Sequence, residues 1–253
     1  MMSFGQNLPM LKPIERKSLA DSVYEQLRDA IVAGDLAAGS TLPSERRLRE
    51  QLGVNRGALR EALKRLEEAR LIRIRHGGAT EVLDFREHAG TSLLEDLLVS
   101  PDGAVRTRVA RSIIEMRAAL APDIARLAAK RGGEACADSL RGVIASMAEA
   151  SGDTPTLQHL ALEWWGALVD GSDNLAYRLA FNSLREGYVR FMHLLAPVLA
   201  DEVGDTDAYR AITEAVAEGR EARAEAGARA LLAQGTESMT TLLEALEQSE
   251  ETL

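Results

Sequence analysis

Apolar positions recur with two different periods along this 253-residue chain, and the change of period divides it. Val23, Leu27, Ala30 and Ile31 fall on one face of a helix that Ser18 can cap and that ends near Gly34. Gly39 and Pro43 then turn the chain. Ser44 caps a short helix with Leu48 and Leu52 inward, and Gly53 supplies the positive-φ stop that a tight interhelical turn favours. Asn55 caps the next helix, where Leu59, Ala62, Leu63 and Leu66 form an i, i+3, i+4, i+7 stripe. Arg56, Arg60 and Lys64 are left on the opposite, exposed face. After Arg70 the period drops to two: Leu71 to Arg75 alternate, His76-Gly77-Gly78 turns, and Thr80, Glu81 and Val82 return as a small β-hairpin.

From about residue 87 the helical period takes over and stays, in sequence rich in Ala, Leu, Glu and Arg. Helices are expected near 88–99, 103–131, 134–150, 156–170, 174–196, 207–217 and 220–248. Pro101, Gly132-Gly133, Gly152 to Pro155, Gly171, Pro197 and Gly204 punctuate them. The fold class is mainly α: a flexible tail over 1–17, a winged helix-turn-helix over 18–84, a linker helix over 85–100 and an antiparallel all-helical bundle over 101–248.

Charge sharpens this division. The net charge of -9, spread evenly, would set the chain against a polyanion. Residues 1–86 are instead net +3, with +6 concentrated between Arg46 and His76, and the remainder carries -12. The basic stretch is an electrostatic footprint for nucleic acid. A single cysteine, Cys136, makes neither an internal disulfide nor a zinc cluster and fits a reducing compartment. No apolar run approaches the roughly 18–20 residues of a spanning helix, and MMSFGQNLPMLKPIERK lacks a signal-peptide core. A cytoplasmic protein with no membrane partner is expected.

In a helix-turn-helix the first turn of the second helix meets base edges, and the arginine fork matches O6 and N7 of guanine. Arg56 and Arg60 stand one turn apart there, beside Asn55 and Gly57, while Arg46 on the preceding helix is placed to hold a phosphate. The expected partner is a palindromic double-stranded operator bound by a homodimer, because the symmetry of the two must match. The run GDLAAGSTLPSERRLREQLGVNRGALREALKRLEEARLI resembles the DNA-binding domain of the GntR family of bacterial transcription regulators. It differs in carrying Asn55 where a serine is common and Ala69-Arg70 in place of a glycine before the wing. The wing, IRIRHGGATEVLDFREHAGTSLLEDLL, is similar to the fatty-acid-responsive FadR branch. That likeness implies His76 and Gly77 as minor-groove contacts, where a residue without Cβ approaches closely.

The same resemblance implies an effector-binding helical domain beginning in the stretch around Arg117. Many members hold a metal there through an Asp-x-x-x-His pair and two later histidines. Aligned on GSDN, residues 171–174, those four positions fall on Ala161, Trp165, Tyr209 and Leu231, none of them an ordinary ligand, so no metal and no cofactor is expected. His159 and Glu163 are spaced i, i+4 but lack third and fourth partners. The FadR-like branch also lacks the metal site, and the likeness implies a long-chain acyl-coenzyme A effector. Arg117, Tyr177, Tyr188 and Tyr209 would hold its polar parts, its chain would lie among apolar side chains with Trp165 in the lining, and Asn182 is a further implied contact. Each buried methylene contributes roughly 0.8 kcal/mol. Three alternatives stay open: a regulator answering to a small carboxylic acid or another metabolite, aromatics that only pack the core, and an effector-less DNA-binding dimer. No nucleophile elbow, phosphate-cradling loop or carboxylate pair suggests an enzyme.

Overall fold

The computed structural model of the chain describes residues 18–75, 79–100 and 103–250, in two compact units, Met1–Gly90 and Thr91–Leu253. The expected tail over 1–17 and the wing tip at His76 and Gly77 lie outside the described residues.

The first unit holds helices α1 (Leu19–Ala33), α2 (Glu45–Leu52) and α3 (Arg56–Glu68), strands β1 (Ile72–Ile74) and β2 (Thr80–Val82), and a short α4 (Phe85–His88). Its helix ends are fixed by short polar side chains. Ser18 and Asp21 form a reciprocal capping box on α1, Ser44 caps α2, and Asn55 accepts the Ala58 amide at 2.9 Å to cap α3. Gly53 ends α2 with φ 65°, so the α2–α3 turn uses a conformation that costs glycine little. The core joins Val23, Leu27 and Ile31 of α1, Leu48 of α2, and the fully buried stripe Leu59, Ala62 and Leu66 with Leu63 of α3. Burying each such leucine or isoleucine stabilises by roughly 1.5–3 kcal/mol. Ala30 and Leu52 are only partly buried.

The hairpin pairs Ile72 with Val82, Arg73 with Glu81 and Ile74 with Thr80, so Ile72 and Val82 face the core while the arginines point outward. The other edge of β2 is covered by the segment before α2. The Leu42 amide donates to the Thr80 carbonyl at 2.8 Å and the Val82 amide to the Ser40 carbonyl at 2.9 Å. Alternation cannot reveal this third pairing, because residues 39–42 are too short to show a period.

The second unit comprises α5 (Leu93–Leu97), α6 (Thr107–Arg131), α7 (Gly133–Glu149), α8 (Thr154–Gly171), α9 (Leu175–Gly204), α10 (Thr206–Ala217) and α11 (Glu221–Glu250). Short connections make an antiparallel bundle around one core, in which Trp164, Leu168, Leu140, Met147, Tyr209, Ile212 and Leu231 are almost wholly enclosed. Two expectations are corrected. Residues 85–100 form two short helices rather than one linker helix, interrupted around Gly90. Helix α9 does not stop at Pro197 but runs to Gly204. Pro197 and His193, whose carbonyl the proline cannot satisfy, are both exposed, so water can replace the missing bond. None of the described helices is long and apolar enough to cross a membrane.

Candidate nucleic-acid interface and effector cavity

Helix α3 offers its first turn outward. Asn55, Arg56, Gly57 and Arg60 are all exposed. The Asn55 oxygen is occupied by the cap, which leaves its amide NH2 as the outward donor. A Cβ at Gly57 would come within 3.3 Å of that same oxygen, so glycine keeps the cap uncrowded. Arg46 Nη1 lies 3.2 Å from Glu50, and Arg60 Nε lies 3.6 Å from Glu45. Such solvated pairs are worth at most about 1 kcal/mol and exchange readily for phosphates or bases. Arg65, in contrast, is turned to structure. It pairs with Asp21 and stacks 4.3 Å above the Tyr24 ring, tying α3 to α1. The Ser18 hydroxyl, then Arg65, hold the Asp21 carboxyl below the usual carboxylate range.

At the wing, Glu81 accepts from Arg75 at 2.8 Å and from Arg73 at 3.4 Å, and Glu67 accepts the Ile74 amide at 2.8 Å. These acids align the basic wing and anchor it to α3. Arg70, in the pair Ala69-Arg70 that the resemblance sets in place of a glycine, takes φ 56°. That left-handed turn lets the chain pass from α3 into β1.

The bundle encloses a cavity of about 250 Å³ among α5, α6, α8, α9 and α11, walled mainly by Leu, Ile, Val, Ala and Phe side chains. Of the six expected effector contacts, Arg117, Trp165, Tyr177 and Tyr188 line it, and Asn182 and Tyr209 do not. Asn182 is exposed on α9. Tyr209 is fully buried with its ring edge-on to Trp164, the centroids 4.8 Å apart. Trp164 in turn donates from Nε1 to Thr213 Oγ1 at 3.2 Å, so Trp164 and Tyr209 form the packing behind Trp165. Burial raises the Tyr209 hydroxyl pKa well above its usual value. Ala161, Trp165, Tyr209 and Leu231, aligned with the family's metal ligands, are all buried in this core. His159 and Glu163 are exposed, and His159 Nδ1 sits 2.9 Å from the Pro155 carbonyl of its own helix.

Two lining residues escaped the sequence reading. Glu202 of α9 pairs with Arg117 of α6, and Gln158 of α8 donates from Nε2 to the Tyr188 hydroxyl at 3.0 Å and to the Met192 carbonyl at 3.1 Å. Glu202 and Gln158 are 2% and 1% exposed, which places charge and amide deep inside an apolar wall. A signal was present. Glu202 interrupts the stripe of Leu199 and Val203, and Gln158 sits one turn before Ala161. Tyr188 feels the charges of both Arg117 and Glu202, and burial, the leading cause, pushes its hydroxyl up to about 12. Glu202 is also raised, by burial against the opposing pull of Arg117. Arg117 Nη1, Glu202 Oε2 and Gln158 Oε1 have no hydrogen-bond partner among the described residues. Each such atom costs on the order of 1–3 kcal/mol. Among the lining residues Thr91, Arg185, Leu194 and Leu242 are exposed.

Residues 19–82 match the bacterial regulatory proteins of the gntR family, and residues 112–234 match the FCD domain. Over 233 residues the chain is 35% identical to the HTH-type transcriptional regulator Mce2R of Mycobacterium tuberculosis, covering 92% of this chain and 96% of that one. It is 29% identical over 177 residues to the fatty acid metabolism regulator protein of Serratia proteamaculans, covering 70% and 72%. A solved structure of Lar, which controls expression of the Listeria monocytogenes agr system, shares the fold with a TM-score of 0.56 at 18% identity, over 90% of this chain and 100% of that one. The family matches fall in both units and the 35% identity extends over nearly the whole chain, so the chain belongs to the GntR family of DNA-binding transcription regulators with an FCD effector domain.

Proposed function

We propose that the protein is a cytoplasmic homodimeric regulator that holds a palindromic operator until a long-chain acyl-coenzyme A enters the bundle. The cavity carries this reading. An apolar space of about 250 Å³ inside the second unit is suited to an alkyl chain, and the polar groups it holds are few. Arg56 and Arg60 read base edges and Asn55 and Gly57 allow the helix start to approach. Arg46 holds a phosphate, and His76 and Gly77 enter the minor groove. Arg117, Trp165, Tyr177 and Tyr188 contact the effector. The name borne by the Serratia relative supports an acyl effector, and the buried aromatic and aliphatic residues at the family's metal positions support a metal-free one.

For the ligand to release DNA it must bind the released form more tightly than the operator-bound form. The test is operator affinity at fixed salt, using a promoter fragment from the protein's own locus, with and without palmitoyl-coenzyme A. Micromolar thioester should weaken binding about 5–150-fold. Unchanged affinity with the thioester demonstrably bound would refute the coupling.

A further inference from the structure

We infer that Glu202 sets the charge the cavity accepts: it neutralises Arg117 from behind, so the site takes uncharged groups and bars carboxylates. This rests on reading the cavity as the effector site and specifies the charge of what enters it.

Four charged residues line the cavity, Glu95, Arg117, Arg185 and Glu202. Arg185 is exposed, and Glu95 lies 3.7 Å from the exposed Arg190. Arg117 instead meets Glu202, and the two are not equally accessible: the Arg117 side chain is 24% exposed and that of Glu202 3%. The second Glu202 oxygen lies against Gly235 of α11, where the missing Cβ leaves room for it. A molecule in the cavity therefore meets the cation before the carboxylate behind it.

An unpaired arginine in an apolar wall would draw a carboxylate into bidentate contact. With Glu202 in place the pair is net neutral. A carboxylate brought to Arg117 then sets two like charges on one guanidinium in a water-poor site and gives up its own hydration. An amide or thioester carbonyl accepts from the guanidinium without that conflict. Specificity of this kind comes from a repulsive element as much as from an attractive one. Glu202 acts through Arg117, as a positioning residue.

Octanoate and its neutral isostere octanamide carry no coenzyme A, so they test the cavity alone. Their binding to the full-length protein is measured by equilibrium dialysis at neutral pH, where octanoate is ionised. Wild type should favour the amide by about tenfold or more. Glu202→Gln, which keeps the side-chain shape, should raise octanoate affinity by about tenfold or more and leave octanamide within about twofold. Arg117→Gln with Glu202→Gln should lose that gain, because the cation that attracts the acid is gone. A merely structural role for Glu202 would move both ligands together. Should Glu202→Gln not fold, Glu202→Ala, which leaves room for water beside Arg117, takes its place with the same expectation, and the wild-type ratio needs no variant. The inference is overturned if wild type binds octanoate as well as octanamide, or if the folded Glu202 variant gains no affinity for octanoate. Palmitoyl-coenzyme A is titrated in parallel. If it fails to bind while the octanoate gain appears, the acyl-coenzyme A reading falls and the role of Glu202 stands; if it binds and the gain is absent, the reverse holds. If no probe binds any of these proteins, both fall.

Discussion

Arg117 on α6 and Glu202 on α9 meet as an ion pair inside the bundle, with the Glu202 side chain 3% exposed and that of Arg117 24%. Taking such charges out of water is expensive, and their attraction repays it only while both are present. Arg117→Ala should therefore destabilise by about 3–5 kcal/mol, whereas Arg117→Met with Glu202→Leu should be close to neutral. Urea denaturation of the single and double variants checks this. Equal losses in both would mean the residues matter for shape rather than charge.

Gly235 of α11 leaves the space that the Glu202 carboxylate fills, and a Cβ there would overlap Glu202 Oε2 and crowd Leu199. Gly235→Ala should cost about 1–3 kcal/mol by overpacking. It should also change effector affinity by displacing Glu202, while DNA affinity without effector stays near wild type. A variant as stable as the parent would place the carboxylate elsewhere.

Tyr177 donates to Asp123 at 2.7 Å, and this bond is the leading reason the Asp123 carboxyl lies below its usual value of 3.8. A lowered folded-state pKa means stability that is present above the unfolded pKa and lost as pH falls through the folded one. Tyr177→Phe should cost about 1 kcal/mol at pH 7, a modest figure because the pair is partly solvated. The gap between variant and wild type should close as the pH is lowered from 5 to about 2. A gap independent of pH would assign the loss to packing alone.

Arg70, in the Ala69-Arg70 pair that stands in place of a glycine by the family resemblance, sits in the left-handed region with φ 56°. Replacing it by glycine relieves a strain of roughly 1–2 kcal/mol, offset in part by the greater flexibility of an unfolded glycine. Thermal melting should show Arg70→Gly slightly more stable than wild type. A less stable variant would mean that the arginine side chain makes a compensating contact.

On the DNA face, Arg60→Ala should cost about 1–3 kcal/mol and relax base preference, while Arg46→Ala should weaken all sequences alike and reduce the salt slope. Binding to a panel of operator variants at several salt concentrations separates the two. A uniform loss from Arg60→Ala would make it a phosphate contact.

The reading head was legible because each of its boundaries is a local chemical event. Ser18, Ser44 and Asn55 cap, Gly53 stops, and the change from helical to alternating period at Leu71 marks the wing. The bundle was legible as a set of helices, but not where tertiary surroundings override a local signal. Pro197 is absorbed because its turn is solvated, and the segment after Asp84 breaks into two short helices although its composition suits one. The cavity was half legible. Aromatic residues flagged it, yet periodicity cannot tell Trp165, which lines the space, from Tyr209, which packs behind it. Nor does a lone Glu202 or Gln158 announce that a partner from another helix awaits it.

A thioester that releases DNA must couple the cavity energetically to the DNA-reading surface, and linkage makes that coupling measurable from either side. Palmitoyl-coenzyme A affinity should be determined for the free protein and for the protein saturated with operator DNA, at one salt concentration. Coupling requires weaker thioester binding by the operator-bound protein, by the same factor, about 5–150-fold, as the thioester weakens operator binding. Equal affinity in the two states would contradict it.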